Sequence, residues 1–212
     1  VMRCCCGSRP AERCCEANTT APAAMMRWNG VALMDNGYMA VGRVSNFSGD
    51  VDAYVLAVDM NGAELWWQSW GGTKEDVFNG IARSGSNFYL AGRTDSYGPE
   101  LGAAHVRSSY VLVMDAAGDT LWTRTFGDVA AANSKEGIRA FSNGELLLVG
   151  GSGSDHLSNG MSLGVNTSGN KLWQHVYPID LTTVLHAITF WMMAASLHRV
   201  FRSALRATKQ CW

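Results

Sequence analysis

The chain has 212 residues, of which 47% are hydrophobic and 17% charged, enough apolar material for a real core and too much for a disordered polymer. Its formal net charge is −1, divided unevenly: residues 28–177 carry −6, residues 1–27 carry +2 and residues 178–212 carry +3. An acidic middle without a basic stripe sets nucleic acid aside as a partner.

Residues 1–27 hold five of the six cysteines, Cys4, Cys5, Cys6, Cys14 and Cys15, with the sixth at Cys211. They show no Cys-x-x-Cys spacing and no neighbouring histidine, so unstructured or lipidated thiols are expected rather than a metal site. No signal-peptide apolar region is visible in this stretch. The expectation is a Cys-rich, disordered tail. Of the 23 glycines, 22 fall between Gly30 and Gly169, which marks a glycine-punctuated domain over 28–178.

That domain repeats itself. Tyr38-Met39-Ala40-Val41-Gly42 matches Phe88 to Gly92 and Leu146 to Gly150, and Asp59-Met60-Asn61-Gly62 with Leu65-Trp66 matches Asp115 to Gly118 with Leu121-Trp122 and Asn166 to Gly169 with Leu172-Trp173. The tryptophans are spaced 56 and 51 residues apart, a blade-sized period. Each unit reads as four short strands. The first follows Gly30, Gly80 or Gly137, the second is the apolar run, the third is Tyr54 to Val58, Tyr110 to Met114 or Met161 to Val165, and the fourth carries the tryptophan. Asn36-Gly37, Asn61-Gly62 and Asn143-Gly144 suit two-residue hairpins that need φ > 0. Strands two and three are apolar almost throughout, so both of their faces must be covered. Blades stacked around an axis do that, and the fold expected is all-β: a β-propeller of four-stranded antiparallel blades, three recognisable, forming an incomplete ring.

The stretch Asp52 to Gly72, with its Tyr-Val-Leu-Ala-Val-Asp-Met-Asn-Gly core and Trp66, resembles the repeats of bacterial secreted and cell-surface β-propeller proteins. The resemblance implies an extracytoplasmic or cell-surface protein and supports the fold more than any one role. Ala57-x-Asp59 with Gly62 and Trp66 is also similar to the tryptophan-docking motif of quinoprotein-like propellers, one residue shorter between Asp and Trp. In that family the motif locks neighbouring blades and does not bind the quinone, so no cofactor is implied.

In such blades the two-to-three connections (44–51, 94–108, 151–160) and the blade-to-blade connections (71–79, 127–136) are the long ones and share one end. Binding residues concentrate on long loops. The candidates there are Lys74, Glu75, Asp76, Arg93, Asp95, His105, Arg107, Asp128, Lys135, Glu136, Asp155 and His156. The competing reading is ordinary solvated loop charge. Arg43 and Arg93 recur at one repeat position, where the third blade has Gly151, which suits a structural Arg as readily as a ligand contact.

Gly160-Met161-Ser162-Leu163-Gly164 matches the Gly-x-Ser-x-Gly nucleophile elbow, but it overlaps a strand rather than a strand-to-helix turn, so no catalytic residue is assigned. The five histidines lack metal-binding spacing and Asp59 to Gly62 reads as a turn, not a calcium loop.

Residues 179–212 lose both glycine and repeat after Pro178. Leu181 to Leu197 is helical in composition, and Arg199, Arg202, Arg206 and Lys209 follow it. Three readings stand: a helix over the open propeller end, a fragment or out-of-frame end, and membrane contact by 181–197, with the first two favoured over the third. The function expected is a non-catalytic binding or structural module presenting a loop-rich face to a protein or glycan, with open blade faces able to self-associate. The alternative is a propeller enzyme domain, a hydrolase, lyase or quinoprotein-like oxidoreductase.

Overall fold

A computed structural model describes residues 25–45, 50–101, 104–127, 132–154 and 157–177. Of the disordered tail expected over residues 1–27, residues 25–27 instead open the first strand; the rest of that tail and the expected C-terminal helix lie outside the described residues, as do Asp128, Asp155 and His156.

The described chain is all-β, in three four-stranded antiparallel sheets. The first contains β1 (Met25–Leu33), β2 (Gly37–Ser45), β3 (Val51–Asp59) and β4 (Glu64–Trp70), side by side in chain order. The second contains β5 (Asp76–Ser84), β6 (Asn87–Thr94), β9 (Ser108–Met114) and β10 (Thr120–Phe126), with a small ribbon of β7 (Glu100–Leu101) and β8 (Ala104–His105) inserted before β9. The third contains β11 (Ala132–Ala140), β12 (Glu145–Ser154), β13 (Leu157–Asn166) and β14 (Lys171–Tyr177).

The apolar second and third strands of the middle sheet are covered on both faces because the other two sheets pack against it. Met39, Val41, Val55 and Ala57 of the first sheet meet Phe78, Phe88, Leu90, Leu112 and Met114 of the second. The opposite face of the second, Tyr89, Ala91, Val111 and Val113, meets Leu146, Leu148, Leu163 and Val165 of the third. Alternation along a strand thus feeds two cores instead of one core and solvent.

Two bonds recur across the sheet boundaries. At the outer end, Trp66 Nε1 donates to the Ala116 carbonyl at 3.3 Å and Trp122 Nε1 to the Thr167 carbonyl at 3.1 Å. Each indole lies on the turn glycine of the next sheet, Gly118 or Gly169, where an added Cβ would come within 3.3 or 3.2 Å of the ring. At the inner end, Asn29 Nδ2 donates to the Phe78 carbonyl and Asn79 Nδ2 to the Lys135 carbonyl, both at 2.9 Å.

Those asparagines sit in a feature that differs from expectation. The first strands do not begin after Gly30, Gly80 and Gly137 but four to five residues earlier, and each carries a β-bulge one residue before that glycine, at Asn29, Asn79 and Glu136. The bulge frees one side chain to reach the next sheet. The glycines let the strands come close: a Cβ on Gly80 would lie 3.3 Å from Gly137 Cα.

The turns differ as well. Asp59, Asp115 and Asn166 each close a three-residue loop ending in a glycine at positive φ, the type I turn with a following bulge, in place of a two-residue hairpin. Their Oδ1 atoms accept the amides two and four residues on, at 2.8–3.1 Å. Only an acceptor oxygen is used, which is why Asn166 serves in the third copy. These bonds hold the Asp59 carboxyl below its usual range. Gly37 has no positive φ; it is glycine because a Cβ would strike the Val58 carbonyl. The long loop expected at 151–160 is strand on both sides, since β12 runs to Ser154 and β13 starts at Leu157.

Candidate functional site

At the inner edge of the three sheets, where the early residues of β1, β5 and β11 meet the late residues of β2 and β6, a groove of about 480 Å³ opens. It is lined by Arg27, Trp28, Asn29, Arg43, Asn79, Arg93 and Glu136, with Val77 at its floor. The bulges build it, because Asn29, Asn79 and Glu136 are the extra residues of the first strands and project inward at one level.

Arg43 and Arg93, from successive sheets, both donate to Glu75 Oε1, at 2.8 and 2.7 Å. Glu75 lies in the connection between these sheets and ties them together. The third sheet has Gly151 in place of the Arg, and Ala132, the first residue of β11, stands at the position equivalent to Glu75. Arginine and acid are lost together, as expected for a structural pair. Arg107 extends the network with two bonds to the Asp95 carboxylate, both 2.8 Å, and a longer approach to Glu75 Oε2 at 3.7 Å. Arg27 has no ion pair among the described residues. The Trp28 ring, exposed beside it, packs on Tyr54.

Beyond this network lies a group of carboxylates, Asp50, Asp52 and Asp76. Asp76 is fully buried, accepting the Gly72 amide at 3.0 Å and the Ser96 hydroxyl at 2.6 Å through Oδ2, while Oδ1 has no hydrogen-bond partner. Burial, with Asp50 and Asp76 nearby, raises the Asp52 carboxyl above its ordinary value. Burial followed by Asp76 and Asp52 raises the Tyr97 hydroxyl, and burial pushes Tyr110 up to about 12. Tyr97, partly exposed, donates to the Gly71 carbonyl at 2.5 Å and so ties down the loop after β4.

Of the residues expected on one loop face, Glu75, Arg93, Asp95 and Arg107 come together in one ionic network, and Glu136 lines the groove with Arg93. Lys74 is exposed, and its amide donates to Ser96 Oγ. His105 falls in β8. Asp76 and Lys135 are corrections: both are strand residues with no exposure. Lys135 occupies the position that Phe78 holds in the second sheet, between two sheets, and its Nζ has no hydrogen-bond partner. Burial pulls its amine down to about 7. The groove residues that sequence reasoning missed are Arg27, Trp28, Asn29 and Asn79, whose only signal was a polar residue preceding each inner glycine.

Ser162 sits mid-strand in β13, buried, with its Oγ 3.0 Å from the Tyr177 hydroxyl. No strand-to-helix elbow surrounds it. Among the described residues no three His, Cys, Asp or Glu side chains converge as metal ligands, and no helix is long and apolar enough to cross a membrane. No family model matches the chain, and no curated protein matches it either.

Proposed function

We propose that the three sheets are consecutive blades of a β-propeller, and that the chain is a non-catalytic binding or structural module. It presents the groove and the loops around it to a carboxylate-bearing protein or glycan. The meander order of each sheet, the gathering of the first strands and the two recurring inter-sheet bonds support the propeller. The resemblance of its repeats to bacterial secreted and cell-surface propellers supports an extracytoplasmic location.

The observation that carries the binding role is the groove. Three guanidinia converge on it, one of them, Arg27, without an ion pair among the described residues, next to the exposed face of an indole. A guanidinium fork matches a carboxylate in two parallel bonds, and an aromatic face receives the apolar side of a sugar or peptide group. Asn29 and Asn79 are already committed to backbone carbonyls and hold the floor rigid. Calorimetric titration with oligogalacturonate and with an oligoglutamate peptide, against neutral dextran, tests this. At least one acidic probe binds, more weakly as salt rises, and Arg27→Gln lowers that affinity about tenfold, the worth of a charge-assisted bond. Equal binding of dextran, or no binding of either acidic probe, would contradict the proposal.

A further inference from the structure

The bulge residues Asn29, Asn79 and Glu136 line one groove, and their hydrogen bonds form a row that breaks off before its last member. Asn29 spends both amide hydrogens, on the Phe78 carbonyl at 2.9 Å and on Asn79 Oδ1 at 3.2 Å. Asn79 spends one, on the Lys135 carbonyl at 2.9 Å, and makes no hydrogen bond to Glu136. Among the described residues the Glu136 carboxylate makes neither a hydrogen bond nor an ion pair. A spare N–H of the second sheet and a spare carboxylate of the third thus line the groove where these two sheets meet.

The chemistry of that break selects what fills it. A carboxylate only accepts, so it suits the Asn79 N–H and is repelled by Glu136. An ammonium only donates, so it satisfies Glu136, leaves Asn79 without an acceptor and adds a positive charge beside Arg27, Arg43 and Arg93. A hydroxyl accepts from the amide and donates to the carboxylate through one oxygen, and its bond to the ionised acceptor is of the strong kind. The side chain of a peptide glutamate has no hydroxyl, whereas a hexuronate carries hydroxyls on the same ring as its carboxylate. The groove volume, about 480 Å³, is that of a small-ligand cleft.

We infer that the groove takes a glycan bearing hexuronate units in preference to an acidic peptide, with a ring hydroxyl set between Asn79 Nδ2 and the Glu136 carboxylate. This rests on the reading of the groove as a carboxylate site, and it adds the residue that chooses among carboxylates. Glu136 weakens the binding of every acid by repulsion and restores it only to one that donates a hydroxyl.

Calorimetric titration of the full chain and of Glu136→Ala with oligogalacturonate and with an oligoglutamate peptide of equal charge tests this. The parent binds the sugar about tenfold more tightly than the peptide. In Glu136→Ala the affinity for the sugar falls about tenfold, the worth of a charge-assisted bond, while that for the peptide rises. Neither a damaged fold nor a general change of groove charge gives opposite signs. Oligogalacturonate acetylated on O2 and O3 keeps its carboxylates and has lost those donors. It binds the parent about tenfold more weakly than the unmodified sugar, and Glu136→Ala no longer distinguishes the two. A peptide bound as tightly as the sugar, or a Glu136→Ala effect that does not split in sign, overturns the inference and leaves the carboxylate groove standing. If neither acid binds the parent, it is the groove reading that fails, and the inference falls with it.

Discussion

The Trp122 indole belongs to β10 of the second sheet, yet its nearest glycine is Gly169 of the third, where a Cβ would lie 3.2 Å from the ring. A side chain that recurs at one strand position therefore acts between repeats, not within one. Trp122→Ala removes the ring and its bond to Thr167 together. The expected cost is about 3–5 kcal/mol, read as a shift in the denaturant midpoint. An unshifted midpoint would show the indole to be surface decoration.

Glu75→Gln tests whether the shared carboxylate is structural. It leaves Arg43 and Arg93 facing each other without their common partner at a half-buried site, and the expected loss is about 1–2 kcal/mol, smaller in high salt. The same change adds positive charge to the groove, so affinity for an acidic probe rises while stability falls. A fall in both would show that Glu75 itself contacts the ligand.

Lys135 makes stability depend on alkaline pH. Its amine titrates at about 7 in the folded chain against 10.5 in the unfolded one, so between those values the unfolded state binds more protons and stability rises with pH. Below about pH 7 both states are protonated and the full penalty of the buried charge remains. Lys135→Met, which restores an apolar side chain at the position of Phe78, is expected to stabilise the protein by about 2–4 kcal/mol at about pH 6 and to flatten the rise toward pH 10. Denaturant midpoints at the two pH values give the answer, and parallel profiles for parent and variant would refute it.

Ser162 is expected to stay unlabelled by a fluorophosphonate probe, since its hydroxyl is buried against Tyr177 within a strand. Stoichiometric labelling there would revive the hydrolase alternative.

The sheets were legible because their apolar runs and Asp-x-x-Gly turns recur, and recurrence at Val41, Ala91 and Val149 reflects one packing demand met three times. The bulges were not. An extra residue such as Asn79 leaves no mark in hydrophobic periodicity, and the polar residues around it read as loop. Lys135 is illegible for a related reason: lysine is seldom buried, so in the sequence it reads as a loop tip and not as a strand position. The groove followed the same course, since Arg27 and Arg93 are 66 residues apart and meet only through packing of successive sheets.

The central claim is that the tryptophans couple one sheet to the next, and a double-mutant cycle on Trp122→Ala and Gly169→Asn measures that coupling. Asparagine tolerates the positive φ at this turn, so its cost arises from its Cβ meeting the indole and the Arg124 stem. Gly169→Asn is expected to cost about 1–2 kcal/mol in the parent and little once the ring is gone, a coupling of about 1 kcal/mol. Costs that simply add, within about 0.3 kcal/mol, would mean that Trp122 and Gly169 do not touch and that the sheets are not joined as described.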